Sequence, residues 1–216
     1  MGKNIVVGVS GGIAAYKACD VVSKLKKQGF EIDVIMTKNA QEFVSPLTFQ
    51  TLSNQTVVTD MFETPSDWNV EHIELAKKAD VFVIVPATAN FIGKLAAGIA
   101  DDMLTTTIMA TEAKKVIVPA MNTKMYHNPI VQENILKLKR HGYYFIEPVS
   151  GLLACGDTGK GKMEDPTVIV EELCLIANQT KEMASCKVTV TAGATTEDID
   201  PVRYLTNRST GKMGYA

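Results

Sequence analysis

Short β-branched runs alternate with segments of helical period along most of this chain, and that alternation leaves few architectures open. Strands separated by helices run parallel, because a parallel pair needs a long crossover, and such sheets are buried on both faces. The runs predict strands at Asn4–Val9, Glu31–Met36, Val81–Val85, Lys115–Pro119, Tyr143–Glu147 and Lys187–Thr191. Between the first two, a helix is predicted from about Gly12 to Gln28, with Ala15, Ala18, Val22 and Leu25 on one face and Gly29 as its stop. Ser45-Pro46 reads as an N-cap followed by proline in the first turn, opening a short helix toward Leu52. Further helices are predicted near Ala89–Ala97, Asp102–Thr111, Pro129–Arg140 and Pro166–Met183. The fold class is therefore α/β, a Rossmann-like or flavodoxin-like open parallel sheet with helices on both faces.

In such a sheet, ligands bind in the crevice at the carboxyl ends of the strands, so residues just past those ends are the candidate site. Gly8-Val-Ser-Gly-Gly-Ile-Ala-Ala15 joins the first strand to the first helix. Its glycines let backbone approach a ligand, and the helix start favours a phosphate. The spacing is not that of dinucleotide folds, so a mononucleotide is the more natural guest. The stretch also matches G-x-S-x-G, which would make Ser10 a hydrolase nucleophile. That fold places its nucleophile after several strands, however, and here the motif follows the first. Val85-Pro-Ala-Thr-Ala-Asn90-Phe91 offers small residues that admit a flat ring and an amide to bond it; equally, Thr88 can cap a helix there. Pro119-Ala-Met-Asn-Thr-Lys-Met-Tyr126 places the Asn122 amide, both donor and acceptor, where it could meet a substrate carboxylate or simply serve a turn.

Two further residues carry possible chemistry. His72, in Asp67-Trp-Asn-Val-Glu-His72, offers the commonest acid or base, or is a solvated residue on an exposed helix edge. Cys155 lies in the glycine-rich Gly151-Leu-Leu-Ala-Cys-Gly156, expected as a loop whose thiol could swing over a pocket, whereas Cys19 and Cys174 fall in helices as packing residues. Gly156-Asp-Thr-Gly-Lys-Gly-Lys162 lacks the spacing of a phosphate-binding P-loop and reads as a mobile loop.

Composition excludes several classes. With 22 basic and 24 acidic side chains the net charge is -2, which gives no global attraction to nucleic acid or an anionic membrane. No apolar run approaches membrane-spanning length, and the start lacks a signal peptide's pattern. Four cysteines at wide spacing fit a reduced, cytoplasmic protein with no metal site. After the helix expected to close near Met183, Cys186-Lys-Val-Thr-Val-Thr-Ala-Gly193 begins a fresh strand and turn. About 30 residues cannot complete a core of their own, so this segment is expected to be the incomplete opening of a second domain.

Taken in order, Gly11-Gly-Ile-Ala-Ala-Tyr-Lys17, His72, Pro86-Ala-Thr-Ala-Asn-Phe91, Pro119 to Tyr126 and Ala154-Cys-Gly-Asp157 resemble the homo-oligomeric flavin-containing cysteine decarboxylases. The resemblance covers about residues 3 to 180. That family often has Thr where Phe91 stands and Trp where Tyr126 stands. The tail, from Ala192-Gly-Ala-Thr-Thr-Glu through Ile199-Asp-Pro-Val-Arg203 to Gly214, resembles the start of phosphopantothenate–cysteine ligase. The pair is similar to the bifunctional phosphopantothenoylcysteine decarboxylase/ligase family of coenzyme A biosynthesis. The resemblance implies a decarboxylase domain over residues 1–185 and an incomplete ligase domain over 186–216, the whole ligase using CTP.

It further implies an enzyme, a carboxy-lyase with FMN as cofactor. FMN would be held by Ser10, Gly11, Gly12, Ile13, Thr37, Asn39, Ala89, Asn90, Phe91 and Ala120. The substrate, 4′-phosphopantothenoylcysteine, would meet Asn122, Met125, Ala154 and Cys155. His72 would serve the oxidation, Asn122 would hold the carboxylate, and Cys155 would donate a proton before the final reduction to 4′-phosphopantetheine. A homotrimer or multiple of trimers is implied, with flavin at subunit boundaries. The alternative from another class is a non-catalytic flavin-binding regulatory or scaffold protein of the same fold; retention of His72 and Cys155 speaks against it.

Overall fold

The computed structural model describes residues 3–61, 71–154, 156–179, 187 and 189–211. The chain divides into two units, 1–179 and 180–216. In the first, strands β1 (Asn4–Val9), β2 (Glu31–Met36), β3 (Val57–Val58), β4 (Val81–Ala87), β5 (Lys114–Pro119) and β6 (Tyr144–Phe145) form one parallel sheet in the order β3-β2-β1-β4-β5-β6. The chain walks outward from β1 to β3 and then crosses back to β4, so the strand order reverses between β1 and β4. That reversal opens a crevice at the carboxyl ends of those two strands.

Alternate strand residues serve opposite faces, as the two-residue period requires. Ile5, Val7, Val9, Val83 and Val118 pack with helices α1 (Ala15–Lys27), α3 (Pro46–Ser53) and α9 (Pro166–Asn178). Val6, Ile35, Phe82, Ile84 and Ile117 pack with α5 (Ala89–Ala97), α6 (Met103–Ala110) and α8 (Pro129–Arg140). The α1 stripe of Ala15, Ala18, Val21, Val22 and Leu25 is fully buried. At roughly 1.5–3 kcal/mol per buried Val or Leu side chain, this face outweighs the ~1 kcal/mol that a missing N-cap costs. Gly29 ends α1 at φ +86°, and Ser45 caps α3 by accepting the Leu47 N–H with Pro46 in its first turn, both as the sequence predicts. Helix α4 (Glu71–Lys78) is tied to the sheet by Lys78, whose ammonium lies 2.7 Å from the buried Asp33 carboxylate of β2.

Several predicted boundaries move for identifiable reasons. Helix α1 starts at Ala15 rather than Gly12, because Gly11 and Gly12 form the turn that precedes it. Strand β4 runs past Val85 to Ala87, which pairs with Pro119 after a register shift, so the Pro86-Ala87 pair belongs to the sheet. The fifth predicted strand shrinks to Tyr144–Phe145 at the sheet edge. The two-residue β3 is too short to show a period. Helix α9 ends at Asn178 with Gln179 as its extended C-cap, and residues 180–183 of the predicted span lie outside the described residues.

The stretch expected as loop from Gly151 to Lys162 is instead largely an antiparallel hairpin, β7 (Val149–Leu152) with β8 (Thr158–Lys162). In the second unit, Lys187 and residues 189–191 are not strand, contrary to expectation. The described pairing there is a hairpin of β9 (Thr196–Asp198) with β10 (Tyr204–Thr206). Its turn is held by Asp200, which accepts the Val202 and Arg203 N–H groups and pairs with the Arg203 guanidinium.

Candidate active site

A cavity of about 1020 Å³ opens at the strand reversal, at the upper end for a ligand pocket and roomy enough for a cofactor and a substrate together. Ser10, Gly11, Gly12 and Ile13 line it from the end of β1, and Thr37 and Asn39 from the end of β2. Ala89, Asn90 and Phe91 line it after β4; Ala120, Asn122 and Met125 do so after β5, and Ala154 from the hairpin. These thirteen sequence-predicted residues therefore share one cavity.

The turn after β1 is shaped for close approach. A Cβ on Gly11 would fall on the Asn39 side chain and within 2.8 Å of the Asn39 carbonyl carbon, so only glycine lets the first two turns meet. Ser10 is buried; its Oγ donates to the Pro86 carbonyl at 2.8 Å and accepts the Thr88 N–H at 3.0 Å. It stitches the ends of β1 and β4 together, which leaves the nucleophile reading without support.

Helix α1 then begins with Ala14 at its N-cap and no capping side chain. The other described N-caps, Thr37, Ser45, Thr88, Asp102, Asn122, Asn128 and Asp165, all accept a backbone N–H through their side chains. An uncapped 13-residue helix opening onto a cavity suits an anionic group, because the free N–H groups and the helix dipole both favour negative charge there. The residues present therefore fit a phosphate-bearing flavin. Phe91 lines the cavity, but its ring is 2% exposed and packs into the core.

Asn122 caps the short helix α7 (Thr123–Tyr126), accepting the Lys124 N–H at 2.8 Å through Oδ1. That bond fixes the amide and leaves Nδ2 as donor, and Nδ2 gives a hydrogen bond to Asp157 at 2.9 Å. Strand β8 lies directly on this segment. The Met121 N–H donates to the Gly161 carbonyl at 3.0 Å, a Cβ on Gly161 would overlap the Met121 carbonyl oxygen, and one on Gly159 would sit 2.7 Å from Thr123 Cγ2. The mobile-loop reading of Gly156–Lys162 is thus corrected. The signal was present in glycines two apart, which mark one strand face pressed against other backbone.

A second tie, which sequence reasoning missed, centres on Glu147. Tyr126 donates its hydroxyl to Glu147 at 2.5 Å, and Lys139 and Lys160 pair with the same carboxylate at 2.6 and 3.3 Å. Burial pushes the Tyr126 phenol well above its ordinary range, and the Glu147 hydrogen bond adds to this. Burial also pushes Glu147 up, but bonds from Lys139, Tyr126 and Lys160 outweigh it and hold the carboxyl below its usual range. A lowered carboxyl pKa means this tie is fully present above the unfolded pKa of about 4.3. It is lost as pH falls through the lower folded value. Amide exchange in β8, corrected for the intrinsic pH effect, is therefore expected to speed up in wild type as pH falls through that value and to show no such acid step in Glu147→Gln, which lacks the charge throughout.

His72 lies half-buried on α4 and does not line the cavity, so this chain does not bring it to Asn122. Cys155 lies outside the described residues. Cys19 and Cys174 sit in helices, as expected, with thiols pushed up by burial, as suits packing rather than reactive cysteines.

Residues 1–178 match the flavoprotein family model, and residues 183–216 match the model of the DNA/pantothenate metabolism flavoprotein C-terminal domain. The chain belongs to the flavoprotein family. It is 52% identical over 216 residues to the Bacillus subtilis (strain 168) coenzyme A biosynthesis bifunctional protein CoaBC, a match covering 99% of this chain and 53% of the relative. The chain thus spans about half the length of the curated relatives it matches. Among solved structures, it resembles a PPC decarboxylase mutant complexed with pantothenoylaminoethenethiol, with a TM-score of 0.73 at 31% identity over 83% of this chain and 100% of that one. It also resembles the FMN-dependent cysteine decarboxylase SpaF, with a TM-score of 0.70 at 34% identity over 81% of this chain and 97% of that one.

Proposed function

We propose that this chain binds FMN and decarboxylates 4′-phosphopantothenoylcysteine to 4′-phosphopantetheine in the cytoplasm, as a step of coenzyme A biosynthesis. Residues 1–185 form the decarboxylase domain and 186–216 the start of a ligase domain. The observation that carries this reading is that the uncapped start of α1 and the fixed Asn122 amide line one cavity. The named activities of the Bacillus subtilis relative and of the two solved decarboxylases support it.

Gly11, Gly12 and the start of α1 hold the phosphate, while Thr37, Asn39, Ala89 and Asn90 border the remainder. When bound, the flavin supplies the electron sink that the loss of carbon dioxide requires. Asn122 Nδ2 orients the substrate carboxylate, and Met125 forms an apolar wall beside it. Cys155 returns a proton to the enethiolate left after decarboxylation.

His72 belongs to the oxidation, and because it lies outside the cavity lining it comes from a neighbouring copy. Ile13, Tyr16 and Met125 line the cavity yet are 59%, 58% and 49% exposed, which suits a site closed by a second subunit. The assembly is a trimer or a multiple of one.

The test is carbon dioxide release from 4′-phosphopantothenoylcysteine by the purified yellow protein, with His72→Asn and Asn122→Ala each abolishing it. Mixing and reassembling these two inactive variants is expected to restore part of the activity, since some sites then combine a sound Asn122 with a sound His72. A yellow protein that releases no carbon dioxide would instead support the flavin-binding scaffold. Full activity in a monomer by light scattering would remove the shared site.

A further inference from the structure

The donor that the proposed function reserves for substrate is occupied by a carboxylate of this chain. Asn122 presents Nδ2 because its Oδ1 is held by the Lys124 N–H, and Nδ2 donates to Asp157 Oδ2 at 2.9 Å. Asp157 is placed by its backbone as well as by this bond. Its carbonyl accepts the Leu153 N–H at 2.8 Å, and the Gly156 N–H closes the turn onto the Leu153 carbonyl at 2.9 Å. The hairpin root is fixed in turn by the contact of Met121 with Gly161. These backbone bonds help deliver the side-chain carboxylate at the hairpin end to Asn122.

We propose that Asp157 is a specificity-determining residue that competes with the carboxylate of the incoming substrate for the Asn122 amide. This rests on the reading of Asn122 as the carboxylate-holding residue. A carboxylated ligand must either displace Asp157 or crowd beside it at Nδ2, which sets two like charges side by side. A ligand without the carboxylate meets neither obstacle. Asp157 thus weakens binding before carbon dioxide is lost and not after, narrowing the affinity gap between substrate and product.

The experiment compares two inhibitors of the flavin-loaded enzyme. One is 4′-phosphopantothenoylserine, which keeps the carboxylate but has no thiol to oxidise; the other is 4′-phosphopantetheine, which lacks the carboxylate. Asp157→Ala is expected to bind the carboxylated inhibitor about three- to tenfold more tightly, the size of a typical net hydrogen bond. The inhibition constant of 4′-phosphopantetheine should move by less than about twofold on the same grounds.

Asp157→Asn keeps an acceptor and removes the charge, and should fall between wild type and Asp157→Ala. Retained flavin absorbance verifies folding in each variant. Unchanged or weaker binding of the carboxylated inhibitor, or equal shifts for both inhibitors, would overturn the competition. Asn122→Ala, run in parallel, separates the two failures. If it decarboxylates at the wild-type rate, the reading of Asn122 itself falls. If it is inactive while Asp157→Ala leaves both constants unmoved, only the competition falls.

Discussion

Gly11→Asp and Gly12→Asp are both expected to give colourless protein, but for different reasons that a melting curve separates. At Gly11 the new Cβ collides with Asn39, including its backbone, so the turns after β1 and β2 must part and the melting temperature should fall. At Gly12 a Cβ meets only Thr88 Cγ2 at 3.5 Å, an ordinary contact, so the fold should hold. The added carboxylate there lies beside the uncapped start of α1, where it takes the favourable N–H groups and dipole for itself and repels a phosphate. Flavin content should drop by at least about tenfold, corresponding to ~1.4 kcal/mol of binding. The ratio of visible to ultraviolet absorbance of the purified variant measures it. A Gly12→Asp protein that melts like wild type and carries stoichiometric flavin would move the phosphate elsewhere.

The parts of the fold that repeat were legible in the sequence. Buried parallel strands leave long β-branched runs, and α1 announces itself through a stripe of small and branched residues that proves wholly buried. The cavity lining was equally legible, because the parallel topology sends every strand's carboxyl end to one edge and ligand residues cluster just beyond it. What stayed hidden depends on contacts between segments far apart in sequence. Glu147 gives no local sign that it will meet Tyr126, Lys139 and Lys160. The exclusion of His72 from the cavity follows from where α4 docks, which the Lys78–Asp33 pair helps fix and no spacing rule foretells. The glycines of β8 were misread as freedom because glycine serves both mobile loops and close backbone packing. Only the Met121–Thr123 segment lying against them decides between the two.

Gly161→Ala tests that last distinction with the largest effect expected from the smallest change. Gly161 sits at φ +145°, where an L side chain is strained, and the added methyl would overlap the Met121 carbonyl oxygen. Strain of this kind costs about 1–3 kcal/mol, and forcing β8 away also breaks the bond from the Met121 N–H to Gly161, worth roughly 1 kcal/mol. The hairpin can relieve both costs by lifting off the Asn122 segment. A shift of only about 1 Å in groups that position a substrate can cost on the order of a hundredfold in rate. On the proposal that the β1 turn holds the flavin, the variant is expected to keep it, while kcat/KM for 4′-phosphopantothenoylcysteine falls about a hundredfold or more. Faster amide exchange confined to residues 149–162 would place the damage in the hairpin. Unchanged kcat/KM with wild-type exchange would show that β8 tolerates a side chain there, and that its glycines serve flexibility after all.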